Sequence, residues 1–126
     1  MAASFHRDHL RRHGVPDEEI VTEQVACHTV QSVVSVAGFE SVDLIQIDAE
    51  GHDWPIIRSI DFTQLRPTIL RFEYRNMTSR DADACLVHLA GHGYRFLVEP
   101  RDIIAMRSRG AAEVNGGSLS VQLRSE

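Results

Sequence analysis

The chain has 126 residues, 18 acidic side chains against 13 basic ones that are all arginine, a formal net charge of −5, and 43% hydrophobic and 25% charged residues. A chain this short builds one hydrophobic core, not two; its apolar content excludes disorder, and no run approaches the roughly 18 apolar residues of a membrane span. The negative balance argues against nucleic acid or a membrane surface as partner, although Arg7, Arg11 and Arg12 leave the leading segment locally basic.

The whole chain, 1–126, reads as a single domain: no repeat, low-complexity stretch or linker divides residues 4–107, and a loose tail follows over 108–126. Cys27 and Cys85 lack CxxC spacing, and the leading Met1-Ala2-Ala3-Ser4 lacks the apolar core of a signal peptide. A reducing cytoplasm with both thiols free is the expected setting.

Residues 4–13 are mostly polar, with Phe5 and Leu10 as anchors, and Gly14-Val15-Pro16 stops any helix there. Val21 to Thr29 is rich in β-formers and reads as a strand; Val30, Val33, Val34 and Ala37 then follow helical spacing up to Gly38. Val42 to Ile47 is short and mostly apolar and ends in Asp48-Ala49-Glu50-Gly51, the pattern of a strand buried on both faces of a parallel sheet.

Asp53-Trp54-Pro55 reads as a helix start with Asp53 as cap, and Ile56, Ile57 and Ile60 supply its apolar face. A second strand runs from Thr68 to Glu73. Thr78 or Ser79 caps a helix carrying Ala82, Cys85, Leu86 and Leu89 on one side. Tyr94 to Val98 and Asp102 to Met106 form an antiparallel hairpin, and Leu119 to Leu123 is a candidate short final strand. Strand–helix alternation requires crossovers, so the expected fold is α/β, a mostly parallel sheet with a C-terminal antiparallel hairpin and helices on its faces.

In such sheets ligands bind beyond the carboxyl ends of the strands. Asp48, Glu50 and Glu73 stand there and are the candidate catalytic acids, since neighbouring carboxylates suit a general base or a metal ligand. His52, Trp54 and Tyr74 flank them as candidate substrate-binding residues, with solvation or core packing as the plain alternatives. Asp48, Glu50, His52 and Asp53 together are oxygen-rich enough for a divalent cation, but crowded into one turn they cannot all converge, so no metal ligand is assigned. His9 and His13, four apart, lack a third metal ligand; His88 and His92 sit at a helix end, where a cation meets the dipole favourably.

The run Val42-Asp-Leu-Ile-Gln-Ile-Asp-Ala-Glu-Gly-His-Asp53 resembles the segment "vDLLKIDVEGhE" of FkbM-type methyltransferases. Arg66-Pro67-Thr-Ile-Leu-Arg-Phe-Glu73 is similar to that family's "rPxilxfE", Gly93-Tyr94 to its Gly-Tyr before the late strands, and Thr29-Val30-Gln31 stands where it tends to have Thr-Leu-Asp. Gln31 and Gln46 replace an Asp and a Lys frequent in the family. The resemblance spans about residues 4–107 and implies the later part of a Rossmann-like class I methyltransferase sheet.

It further implies S-adenosylmethionine as cofactor and transfer of a methyl group to a hydroxyl oxygen of a small molecule or sugar. Asp48 or Glu50 would orient or deprotonate that acceptor and Glu73 would shape its pocket. The Gly-rich turn of the cofactor-binding half has no counterpart in this chain, so cofactor-binding residues stay unassigned and the isolated domain is expected to bind the cofactor weakly or not at all. The first buried strand would then lie at an open edge, which calls for a homodimer or partner chain. Two other functions stay open: a non-catalytic module that dimerises through that edge, and a divalent-metal hydrolase built on the Asp48 cluster.

Overall fold

The computed structural model describes Ser4 and residues 6–107. The helices are α1 (Arg7–Arg12), α2 (Val30–Val36), α3 (Asp53–Arg58) and α4 (Ser79–Gly91); the strands are β1 (Leu44–Ile47), β2 (Ile69–Glu73), β3 (Arg95–Val98) and β4 (Asp102–Met106). The expected final strand over Leu119–Leu123 and the tail over 108–126 lie outside the described residues.

The sheet has the order β1-β2-β4-β3. β1 and β2 pair in parallel, with Ile47 beside Phe72, while β4 runs antiparallel to both β2 and β3. The sheet is therefore mixed rather than mostly parallel: the hairpin's second strand inserts beside β2, so two of the three ladders are antiparallel. β1 lies at one edge.

Alternation along the strands sorts the apolar residues. Leu70 and Phe72 of β2 and Ile103 and Ala105 of β4 share one face, where they join Ile47, Ile57 of α3, and Cys85 and Leu89 of α4 in one buried core. Burying each of the Leu, Ile and Phe side chains contributes about 1.5–3 kcal/mol. Val30 and Val34 of α2 pack against the same core. The opposite face, carrying Leu44, Leu97 and Met106, is largely exposed. Helices thus cover one face and not both, and β1, expected to be buried on both sides, has Leu44 and Gln46 open to solvent.

Local signals explain most boundaries. Thr29 caps α2 by accepting the Ser32 N–H, and Thr78 caps α4 by accepting the Asp81 N–H. Val21 to Thr29 forms no strand; it is irregular and exposed, because no neighbouring strand offers it a ladder among the described residues. Asp53 does not cap α3. His52 occupies that position, and Asp53, the first helical residue, is fully buried. Within the described residues no helix is long and apolar enough to cross a membrane.

Candidate functional site

Parallel neighbours finish at the same end of a sheet, so the turn after β1 and the last residue of β2 are brought together. The turn Asp48–Gly51 reverses sharply through two left-handed residues, Glu50 (φ 49°) and Gly51 (φ 96°). Two features favour glycine at 51: its φ is costly for other residues, and a Cβ there would come within 3.2 Å of the Asn76 carbonyl oxygen, so the neighbouring loop would have to yield. The β1–α3 turn is thus pressed against the β2–α4 loop.

Across this contact runs a chain of polar groups. Asn76 Nδ2 donates to Glu73 Oε2 at 2.8 Å and to Glu50 Oε2 at 3.0 Å, so one amide nitrogen uses its two hydrogens to join the carboxylates of two strand ends. Glu73 is buried, and Arg101 Nη2 donates to its Oε1 at 3.0 Å. That bond holds the Arg101 pKa above its ordinary value. Glu73 faces Asp102 across the β2–β4 ladder, and each acid has its own cation: Arg71 Nη2 lies 2.6 Å from Asp102 Oδ2. Separate partners keep two opposed carboxylates from repelling unscreened.

On the other side of Glu50 lies α1. His9 is buried, and its Nε2 stands 3.6 Å from Glu50 Oε2. The His13 ring packs on it with centroids 4.4 Å apart. Leu10 anchors α1 inward, while Arg11 clamps Asp17 through two hydrogen bonds of 2.7 and 3.0 Å. His9, Arg12, His13, Glu50 and Asn76 line a polar cavity of about 140 Å³.

Beneath the network sits Asp53. Its Oδ1 accepts the Glu73 N–H at 3.2 Å, which straps α3 to the end of β2, while its Oδ2 is buried without a hydrogen-bond partner. Burial raises the Asp53 pKa above its ordinary value, against the pull of surrounding backbone N–H groups, that of Glu73 first. The Cys85 thiol is pushed up to about 12, chiefly by burial and secondarily by Asp53. Neither thiol is bonded to the other: Cys27 is exposed and Cys85 buried.

Of the residues singled out from sequence, Glu50 and Glu73 meet through Asn76. Asp48 is exposed and stands outside that network. His52 lies on the same side, its ring 5.5 Å from that of His6. Trp54 and Tyr74 are half-buried against the core, and Trp54 meets His88 edge-on at 5.5 Å. His88 meets Trp54, Phe62 and His92 edge to face, and burial first, His92 second, lowers its pKa; the expected helix-end cation is a packing residue pushed toward neutrality. Asn76 and Arg101, which complete the network, belong to no motif, and His9 carried a signal in its spacing from His13 and in the leading Ser4-Phe-His-Arg-Asp-His-Leu10, a stretch similar to a polar upstream segment of some FkbM-type methyltransferases. No group of three or more His, Cys, Asp or Glu among the described residues could hold a metal ion, so the hydrolase alternative has no ligand set there.

Residues 1–96 match the family model of the methyltransferase FkbM domain. The chain belongs to this family. Searches of curated proteins and of solved structures gave no match. Membership makes the α/β core part of a methyltransferase-family domain, and methyltransferases of this kind in general use S-adenosylmethionine. The cavity beside Glu50 does not fit that cofactor: its lining of His9, Arg12, His13, Glu50 and Asn76 offers neither an apolar wall for an adenine ring nor a glycine-rich turn for close backbone approach. Gly51 gives no close backbone approach to a cofactor either, because the space a Cβ would fill is taken by Asn76.

Proposed function

We propose that this FkbM-family domain supplies the acceptor side of a methyltransferase site, with O-methyl transfer to a small molecule or sugar as the reaction it serves. The single observation behind this reading is the Asn76-bridged pair Glu50 and Glu73 beside a polar cavity. Glu50, half-exposed, orients the acceptor hydroxyl. Glu73 is buried and fixes Asn76 and Arg101, shaping the wall through Asn76. Correct placement of the hydroxyl supplies most of the rate that such a site can give. When bound, S-adenosylmethionine supplies the methyl group; the residues described do not assign its seat.

In the protein that carries this sequence, Glu50→Gln lowers transfer of labelled methyl groups to hydroxyl acceptors about a hundredfold, with the melting temperature little changed. An equal fall in activity and stability would reduce Glu50 to a turn residue. A partner belongs to the same proposal. β1 is an edge strand with Leu44 and Gln46 exposed, a template for a strand from a second copy or another chain. Light scattering that finds only monomer at high concentration removes that part.

A further inference from the structure

Resting on the acceptor-side reading, we infer that His9 and Glu50 act as one hydroxyl-binding pair, and that the cavity they share takes a neutral polyhydroxy ligand. At 3.6 Å the two side chains are too far apart for a direct hydrogen bond, yet close enough for one oxygen to reach both. A ligand hydroxyl placed there donates to one partner and accepts from, or donates through a neighbouring hydroxyl to, the other.

The rest of the wall fits the same chemistry. Arg12 spends one donor on the Asp8 carbonyl at 3.4 Å and keeps the remainder of its guanidinium for the cavity it lines. Both hydrogens on Asn76 Nδ2 are already given to carboxylates, so Glu50 is held in place before any ligand arrives. An anion in the cavity meets the Glu50 carboxylate, and a cation meets Arg12. A neutral ligand with alternating donors and acceptors meets no uncompensated charge, and satisfies groups that would otherwise lose their water on binding.

α1 is positioned for this role by contacts that leave His9 uncommitted. Leu10 is buried beside it, and Arg11 and Arg7 both engage Asp17, in the short turn Asp17–Glu19, from the solvent side. His9 is thereby carried into the crevice by a helix whose Arg7, Asp8 and Arg11 are paired away from the cavity, while Arg12 joins its wall. Its function follows from tertiary placement beside Glu50.

The test uses methyl α-glucopyranoside as the neutral probe, with glucose 6-phosphate and glucosamine as charged comparisons, and no methyl donor present. NMR of the histidine ring signals should show saturable millimolar shifts of His9 and His13 with the glycoside and weaker ones with both charged probes. Glu50→Gln and His9→Gln should each weaken glycoside binding about tenfold, while Cys27→Ser leaves it unchanged. Glu50→Gln, half-exposed and isosteric, keeps the result readable if His9→Gln unfolds. Glycoside that leaves the His9 signal unmoved, or binds both variants like the parent, overturns the pair. Binding with the expected losses but no methyl transfer by the protein that carries this sequence keeps the pair and removes the methyltransferase reading; transfer indifferent to His9 and Glu50 does the reverse.

Discussion

Among the places where the described residues bury a polar atom without a partner, two resolve the problem differently. At the carboxyl end of β1 and β2, Asp53 Oδ2 is unpartnered, but it lies beneath a layer in which Glu73, Asn76, Arg101 and Glu50 are linked to one another. Between α3 and α4, His88 Nε2 is equally unpartnered, yet its surroundings are rings: Trp54, Phe62 and His92. Charge-assisted bonds organise the first region around an open cavity, whereas ring packing closes the second. Buried polarity alone does not mark a functional site; the mark is a paired network that still faces solvent.

The largest expected effect is on the strap of the first region. Asp53→Ala leaves the Glu73 N–H without its acceptor and opens a hole in the core, costing about 2–4 kcal/mol in chemical denaturation. Asp53→Asn keeps the acceptor and should cost far less. If Asn proves as damaging as Ala, the ionised carboxylate and not the hydrogen bond holds β2 to α3.

Next comes the seam between the two loops. Gly51→Ala must both adopt a positive φ and push against the Asn76 carbonyl, so a loss of about 1–3 kcal/mol is expected, together with weaker binding in the cavity. A neutral outcome means that the β1–α3 turn can move away from Asn76 freely.

The smallest effects separate the two regions by sign. The folded-state pKa of Asp53 is raised above 3.8, so folding favours its protonated form; its contribution is full below that value and is lost as pH climbs through the raised pKa. For His88 the folded pKa is lowered below 6.5, so its contribution is full above 6.5 and is lost as pH falls toward the lowered pKa. Relative to the parent, Asp53→Asn should therefore gain stability as pH rises from about 4, and His88→Gln should gain as pH falls below about 6.5. Melting curves across pH that move both variants in the same direction would contradict the assignment of the two environments.

How much of this could be read from the chain itself varies by residue. Thr78 announces its helix because a cap acts through backbone N–H groups two or three residues away; Thr29, read as the end of a strand, caps α2 in the same way. The strands at Leu44–Ile47 and Ile69–Glu73 are equally plain from their apolar runs, and Glu50 and Glu73 follow as strand-end acids. Placement across the sheet is different in kind. Nothing local says that β4 inserts beside β2, which turns the sheet from mostly parallel to mixed, or that Leu44 and Gln46 face solvent. The same holds for Val21–Thr29, whose β-forming residues have no ladder to join among the described residues. Asp53 shows the limit most clearly: its position before Trp54-Pro55 is that of a cap, but tertiary burial makes it an acceptor for β2. Asn76, Arg101 and His9 reach the site through long-range contacts that no spacing encodes.

The central claim is that Glu50 and Glu73, from different strand ends, act through Asn76 as one unit facing the cavity. A double-mutant cycle on glycoside affinity with Glu50→Gln and Asn76→Ala tests it directly. The account predicts a double variant barely weaker than the worse single one, a coupling of about 1 kcal/mol or more; losses that simply add would show that the bridge between the two strand ends has no part in binding.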